Sequence, residues 1–184
     1  MIIGITGTLG AGKGTIVDYL VGRKGFRHFS VRGYLVRSLN ERGMPVNRDT
    51  MTSLANELRA LHGPSYIVDE LFREASKSGG NAIIESIRTP GEIASLREKG
   101  RFVLLAVDAD SELRYKRVFQ RGSETDNIDY QTFLSNEQRE MHSLDPNHQN
   151  LMECIRQADY RLTNNGSTKD LFEQTDQILK DLKL

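Results

Sequence analysis

The chain has 184 residues, with 25 Lys plus Arg against 25 Asp plus Glu and a formal net charge of zero. That length suits one domain, residues 1–184, with a core large enough to need no staples. The charge balance excludes bulk electrostatic binding to nucleic acid or an acidic membrane, so any anion site must be local. A lone cysteine, Cys154, excludes a disulfide framework and a thiolate metal cluster and fits a reducing compartment. With no signal-peptide pattern and no apolar stretch long enough to span a bilayer, the expected location is cytoplasmic.

Ile2-Ile3-Gly4-Ile5-Thr6 reads as a buried strand, and Ile16-Val17-Asp18-Tyr19-Leu20 has helical spacing. Between them runs Gly7-Thr8-Leu9-Gly10-Ala11-Gly12-Lys13-Gly14-Thr15. Strand, glycine loop with lysine, then helix is the arrangement of a phosphate-binding loop. Its glycines let backbone N–H groups turn inward, and the helix adds the positive end of its dipole. Gly7, Leu9, Gly10, Ala11, Gly12, Lys13, Gly14 and Thr15 are therefore expected to hold phosphate. Lys13 brings a full charge to the outer phosphates, and the Thr15 hydroxyl suits a phosphate oxygen or the shell of Mg²⁺.

Arg23-Lys24-Gly25 ends the first helix. Phe26–Ser30 reads as the second strand, and Ser30 as the cap of a helix over Val31–Asn40. A loop at Met44–Asn47 precedes a helix starting at Asp49 or Thr50, with Leu54, Leu58 and Leu61 on one face. His62-Gly63-Pro64-Ser65 breaks it, and Tyr66–Lys77 is helical again. Ala82–Glu85 is a short strand with an acid at its end, and Pro90–Lys99 a helix with proline in its first turn.

Arg101–Val107 is the clearest buried strand, without alternation, as when both sheet faces are covered. Asp108–Ser111 leads into a helix over Glu112–Gln120, and Gly122–Asn127 is a polar loop. Helices follow over Tyr130–His142 and Asn147–Gln157, then a strand at Asp159–Thr163, a turn at Asn164-Asn165-Gly166 and a last helix from Lys169. The alternation predicts an α/β fold with a parallel five-stranded sheet between two helical layers. Ligands then sit beyond the carboxyl ends of the strands, where Gly7–Thr15, Ser30, Glu85 and Asp108 share one rim. Glu85 there could hold a Mg²⁺ water or order the phosphate site, or merely cap a helix. The four histidines, 28, 62, 142 and 148, show no metal-ligand spacing.

The motifs resemble those of nucleoside monophosphate kinase-like P-loop kinases. The Gly14-Thr15 ending departs from the general motif, which puts Ser or Thr directly after the lysine, and is similar to the adenylate kinase branch. Ile84-Glu85-Ser86-Ile87-Arg88-Thr89 resembles the segment in which an acid is followed by an arginine that grips the acceptor phosphate, which points to Arg88. Arg114, Arg117 and Arg121 share one helix face leading into Gly122–Asn127, like the start of a short lid over about 122–128. By that likeness Arg117 lies on the donor-base side, Arg121 on the moving phosphoryl group, and Arg114 points partly to solvent; Arg139 could return from the far side of the lid.

The acceptor-binding helical insert, about 31–78, offers Arg32, Arg37 and Arg59 as further phosphate ligands, or as surface charge. Gly33 stands where the family pattern has Asp. Asn165, in the Asn-x-Gly turn, resembles the adenine-side turn of P-loop kinases, dephospho-CoA kinases included. The likeness extends to uncharacterised archaeal adenylate-kinase-related proteins and to kinase modules joined to deoxycytidylate deaminases. It implies ATP and Mg²⁺ as cofactors and small-molecule nucleotides as substrates, with no nucleic acid or membrane partner, in a monomer or homodimer. The implied activity is phosphoryl transfer to a nucleoside or deoxynucleoside monophosphate. The alternatives are a dephospho-CoA kinase-like enzyme and a non-catalytic ATP-binding regulatory module.

Overall fold

The computed structural model describes residues 1–122 and 128–184; residues 123–127, most of the expected lid, lie outside the described residues. Strands β1 (Ile2–Gly7), β2 (Arg27–Ser30), β3 (Ala82–Glu85), β4 (Phe102–Asp108) and β5 (Tyr160–Thr163) form one parallel sheet in the order β2-β3-β1-β4-β5. β1 is central, so the loop that follows it emerges in the middle of the rim, with β3 on one side and β4 on the other.

The continuous apolar strands feed two cores because successive side chains point to opposite faces. Phe102 and Leu104 of β4 pack on one face with Ile84, while Val103, Leu105 and Val107 pack on the other with Ile3 and Ile5. The first face is covered by α2 (Val31–Glu41), α3 (Arg48–His62), α4 (Tyr66–Ser78), α5 (Pro90–Glu98) and Cys154 of α8 (Leu151–Arg156). The second is covered by α1 (Lys13–Lys24) and α9 (Thr168–Asp181). Burial pushes the Cys154 thiol pKa up, which keeps it inert. Two more helices, α6 (Ser111–Arg121) and α7 (Tyr130–Met141), meet through Tyr115, Tyr130 and Phe133, whose ring centroids are 5.0–6.2 Å apart.

Local chemistry sets the element ends. Ser30 caps α2 by accepting from Gly33 N at 3.1 Å, and capping boxes start α3 at Asn47, α5 at Thr89 and α9 at Ser167. The sequence suggests a helix over Asn147–Gln157, but α8 begins only at Leu151. Asp145 takes Asn147 N on its side chain and His148 N on its carbonyl, which folds the polar run into a turn, and Asn150 then caps the helix. No helix among the described residues is long and apolar enough to cross a membrane.

Candidate active site

The loop after β1 is shaped by contacts that only glycine permits, at Gly7 and Gly12 among other points. Gly7 has φ +138°, and a Cβ there would lie 2.1 Å from Val107 O. Gly12, at φ +104°, would put a Cβ 2.2 Å from Asn164 Nδ2. That Asn164 amide donates to Ala11 O at 2.8 Å and holds the loop from below. Thr8 Oγ1 donates to Asp108 Oδ1 at 2.6 Å, and Arg114 Nη1 to Leu9 O at 3.3 Å. Gly12 caps α1 with no side-chain acceptor, and the first turn has no acid, so the helix start is left for an incoming anion. Gly14 is exposed, and a Cβ added to it would meet no protein atom within 4 Å.

Lys13 Nζ donates to Gly7 O and Thr8 O, each at 2.8 Å, folded back on its own loop. Desolvation lowers its pKa from 10.5 to about 7, with the charge of Arg88 adding to the effect and Glu85 and Glu140 opposing it. Glu85 ends β3 and lines the same cavity as Lys13. Burial works to raise its carboxyl pKa, but a 3.0 Å bond to His28 Nε2 and the charges of Lys13 and His28 outweigh it and hold the group ionised. Ser86, the next residue, has φ +72°, a left-handed conformation that costs a non-glycine residue about 1 kcal/mol or more. Ser86 N and Ile87 N both donate to Ile5 O, which anchors this bend to β1.

One cavity of about 730 Å³ joins these groups to a set of arginines. The loop contributes Leu9, Gly10, Gly12, Lys13, Gly14 and Thr15, whereas Gly7 and Ala11 stay behind as framework. Arg32, Arg59 and Arg88 line the cavity, as do Arg117 and Arg121 of α6. Arg37 does not: it is exposed and lies 3.9 Å from Glu74. Asn165 also stays outside the lining; its side chain ties to Asp110 at 2.9 Å both ways, taking Asp110 N and donating to Asp110 Oδ1.

Arg139 is exposed, 3.5 Å from Asp49. Arg114 does not face solvent as the helix spacing suggests: it is buried, bonded to Ala109 O at 2.7 Å and paired with Glu137 through two nitrogens. It is a framework residue because α6 packs directly on the loop, where Gly10 leaves room for Arg114 O.

Arg48, Glu140 and Gln149 are cavity residues that sequence reasoning missed. Arg88 Nη1 donates to Glu140 Oε2 at 2.6 Å and to Gln149 Oε1 at 2.9 Å, and Arg48 Nη2 donates to Glu140 Oε1. Phe133, Glu137 and Glu140 stand at helical spacing on α7, which marks one inward stripe. The backbone of Arg88 is held as well: its N donates to Glu92 Oε2 at 2.7 Å, and its O accepts from Asn150 N at 2.9 Å. Arg59 is buried against Glu92, Nη2 to Oε1 at 2.8 Å.

The fold resembles that of known P-loop proteins. A Thermus thermophilus protein, TT1252, superposes with a TM-score of 0.65 at 23% identity, covering 99% of this chain and 97% of that one. Shikimate kinase from Bacteroides thetaiotaomicron gives 0.60 at 12% identity, covering 100% and 99%. At these identities the likeness is one of fold. In sequence, a UPF0200 protein of Methanococcus maripaludis is 26% identical over 98% of this chain and 97% of its own length. A UPF0200 protein of Methanocaldococcus jannaschii is 27% identical over 99% and 90%. Residues 3–145 match the P-loop family described as an AAA domain, AAA_18, and with its glycine loop and central β1 the chain belongs to that family.

Proposed function

We propose that this chain transfers the γ-phosphoryl group of ATP to a small phosphorylated acceptor, a nucleoside or deoxynucleoside monophosphate. The observation that supports this is a single cavity lined both by the phosphate loop and by Arg32, Arg48, Arg88, Arg117 and Arg121. Its volume, about 730 Å³, is in the range of small-ligand sites. Two anionic substrates brought together there need such a density of cations.

In this reading Lys13 leaves the Gly7 and Thr8 carbonyls and takes the β- and γ-phosphate oxygens, beside the N–H groups of α1. Arg88 and Arg32 hold the acceptor phosphate, and Arg117 faces the donor base. An acceptor phosphate oxygen attacks the γ-phosphorus; the bond to the β–γ bridging oxygen breaks, and its electron pair leaves with ADP. The attacking oxygen is already ionised, so no general base is required. Arg121 neutralises the moving group, and catalysis is positioning plus charge stabilisation.

Thr15 and the ionised Glu85 fit a Mg²⁺ that arrives with the triphosphate and keeps phosphate and water ligands. When bound, the ion spreads charge from the β- and γ-oxygens.

The test is a panel of ribo- and deoxyribonucleoside monophosphates, with dephospho-CoA beside them, read by phosphate transfer from ATP. Transfer to at least one monophosphate is expected, and Lys13→Ala should lose roughly 3–4 kcal/mol of transition-state stabilisation. Undiminished turnover in that variant would remove Lys13 from the chemistry. One feature favours a second reading, a non-catalytic ATP-binding module: Glu140 already occupies Arg48 and Arg88. ATP binding without transfer to any acceptor would select it.

A further inference from the structure

Of the four buried side-chain polar atoms that lack a hydrogen-bond partner among the described residues, three are guanidinium nitrogens: Arg48 Nε, Arg59 Nη1 and Arg117 Nη1. All three arginines line the cavity described above. A buried donor with no acceptor is costly, and native structures keep few of them.

Arg59 differs from the other two in charge and in constraint. It is 2% exposed and paired with Glu92, which is 0% exposed. Its Nε and Nη2 both donate to Glu92 Oε1, at 3.3 and 2.8 Å. The other carboxylate oxygen, Oε2, accepts from Arg88 N and Thr89 N at 2.7 and 3.1 Å. Glu92 therefore cannot turn without releasing the start of α5, and it fixes the plane of the guanidinium. Nη1 is the one nitrogen of Arg59 left over.

The pair as a whole is neutral. A phosphate dianion placed on Arg59 would face the Glu92 carboxylate across a single guanidinium, a like-charge arrangement that disfavours it. The less buried Arg32, Arg48 and Arg88 are better phosphate ligands. An uncharged acceptor atom meets no such opposition. Leu35, Met51 and Ala55 line the cavity with Arg59, so apolar side chains for the flat face of a base share the lining with that donor.

Building on the proposed transfer to a monophosphate, we infer that Arg59 is a specificity-determining residue. It donates Nη1–H to an oxo oxygen or an unprotonated ring nitrogen of the acceptor's base, and it does not hold the acceptor phosphate. Specificity of this kind is steep, because a substrate lacking the atom leaves the donor buried and unpaired.

The test uses the full-length protein with ATP, the monophosphate panel and base analogues in which one ring nitrogen is replaced by C–H or one oxo group is removed. Binding is followed by calorimetry and transfer by kcat/KM. In the unaltered protein, removing the recognised atom should lower both by about 10- to 100-fold, as for a hydrogen bond from a charged donor. Which analogue series responds identifies the atom as oxygen or nitrogen. Arg59→Lys keeps a charge opposite Glu92 but offers no second nitrogen, so it should treat parent and analogue alike. The inference is overturned if every analogue matches its parent in the unaltered protein, or if Arg59→Lys keeps the same discrimination. Should Arg59→Lys fail to fold, the analogue series on the unaltered protein decides alone. If no monophosphate binds or accepts phosphate, the proposed function falls and takes this with it. Monophosphates that bind without atomic discrimination would remove Arg59 only.

Discussion

Arg88 Nη1 lies 2.6 Å from Glu140 Oε2, a bond between the bend after β3 and helix α7, 52 residues apart in sequence. Burial alone would raise the Glu140 carboxyl pKa, but the charges and bonds of Arg88 and Arg48 outweigh it and hold the group ionised. An internal anion thus sits on two of the arginines that a phosphate would use. Glu140→Gln keeps the shape and removes the charge. Inorganic phosphate and monophosphates should then bind about 10- to 100-fold tighter, which is the strength of one charge-assisted hydrogen bond, about 1.5–3 kcal/mol. Calorimetry at low and high salt checks this, with a steeper salt dependence in the variant. Weaker anion binding would show instead that Glu140 orients the arginines for their ligand.

The depressed pKa of Lys13 makes triphosphate binding depend on pH in one direction. With the free amine near pKa 7, affinity should be flat below that pH, where Lys13 is already protonated. Bound phosphate favours the ammonium and returns the pKa toward 10.5, so binding at higher pH takes up a proton. Affinity should therefore fall by up to about tenfold per pH unit above pH 7. Calorimetry in two buffers of different ionisation enthalpy reads the proton directly, and Lys13→Met should abolish the uptake.

The Arg59–Glu92 pair separates stability from surface charge. Glu92→Ala leaves a buried guanidinium without its counter-ion and frees two backbone donors, and should cost about 3–5 kcal/mol in denaturant unfolding. Glu57→Ala breaks the exposed 2.9 Å pair with Arg42 and should cost under about 1 kcal/mol. Similar midpoints for the two variants would contradict the structural role of Glu92.

Gly14 offers a test of what fills the space above the loop. It lies inside α1, and an added Cβ would touch no protein atom within 4 Å. Gly14→Ala should leave the unfolding midpoint unchanged or raise stability by about 0.4–1 kcal/mol, through lost unfolded-state entropy. The same methyl should weaken ATP binding if phosphate approaches the backbone there. Tighter unfolding behaviour with intact ATP affinity would mean that phosphate keeps its distance from this residue.

What could be read from the sequence was local or periodic. The glycine loop, the cap at Ser30, the proline start of α5 and the strand at Ala82–Glu85 each depend on neighbours a few residues away. The unalternating apolar run in β4 announced a sheet covered on both faces, and with it the rim that carries Lys13 and Glu85. The arginines were visible as residues, yet their roles depended on partners distant in the chain. Arg59 needs Glu92, 33 positions on, and Arg114 needs Glu137, 23 positions on. In the run Glu137-Gln138-Arg139-Glu140 the cation stands out in the sequence, yet Arg139 is exposed. The stripe Phe133, Glu137, Glu140 on the same helix carried the inward signal, but carboxylates on a buried stripe make sense only once arginines are known to face them.

The hydrogen bond from Asn164 to the Ala11 carbonyl places the support of the glycine loop 153 residues away in sequence. During synthesis the loop therefore leaves the ribosome well before the residue that braces it, 153 positions on. A nascent chain, or a product truncated after residue 145, therefore carries the motif without its brace and without the edge strand β5. On the proposed ATP-binding reading, such a product should hold a triphosphate more weakly although every residue of the motif is present.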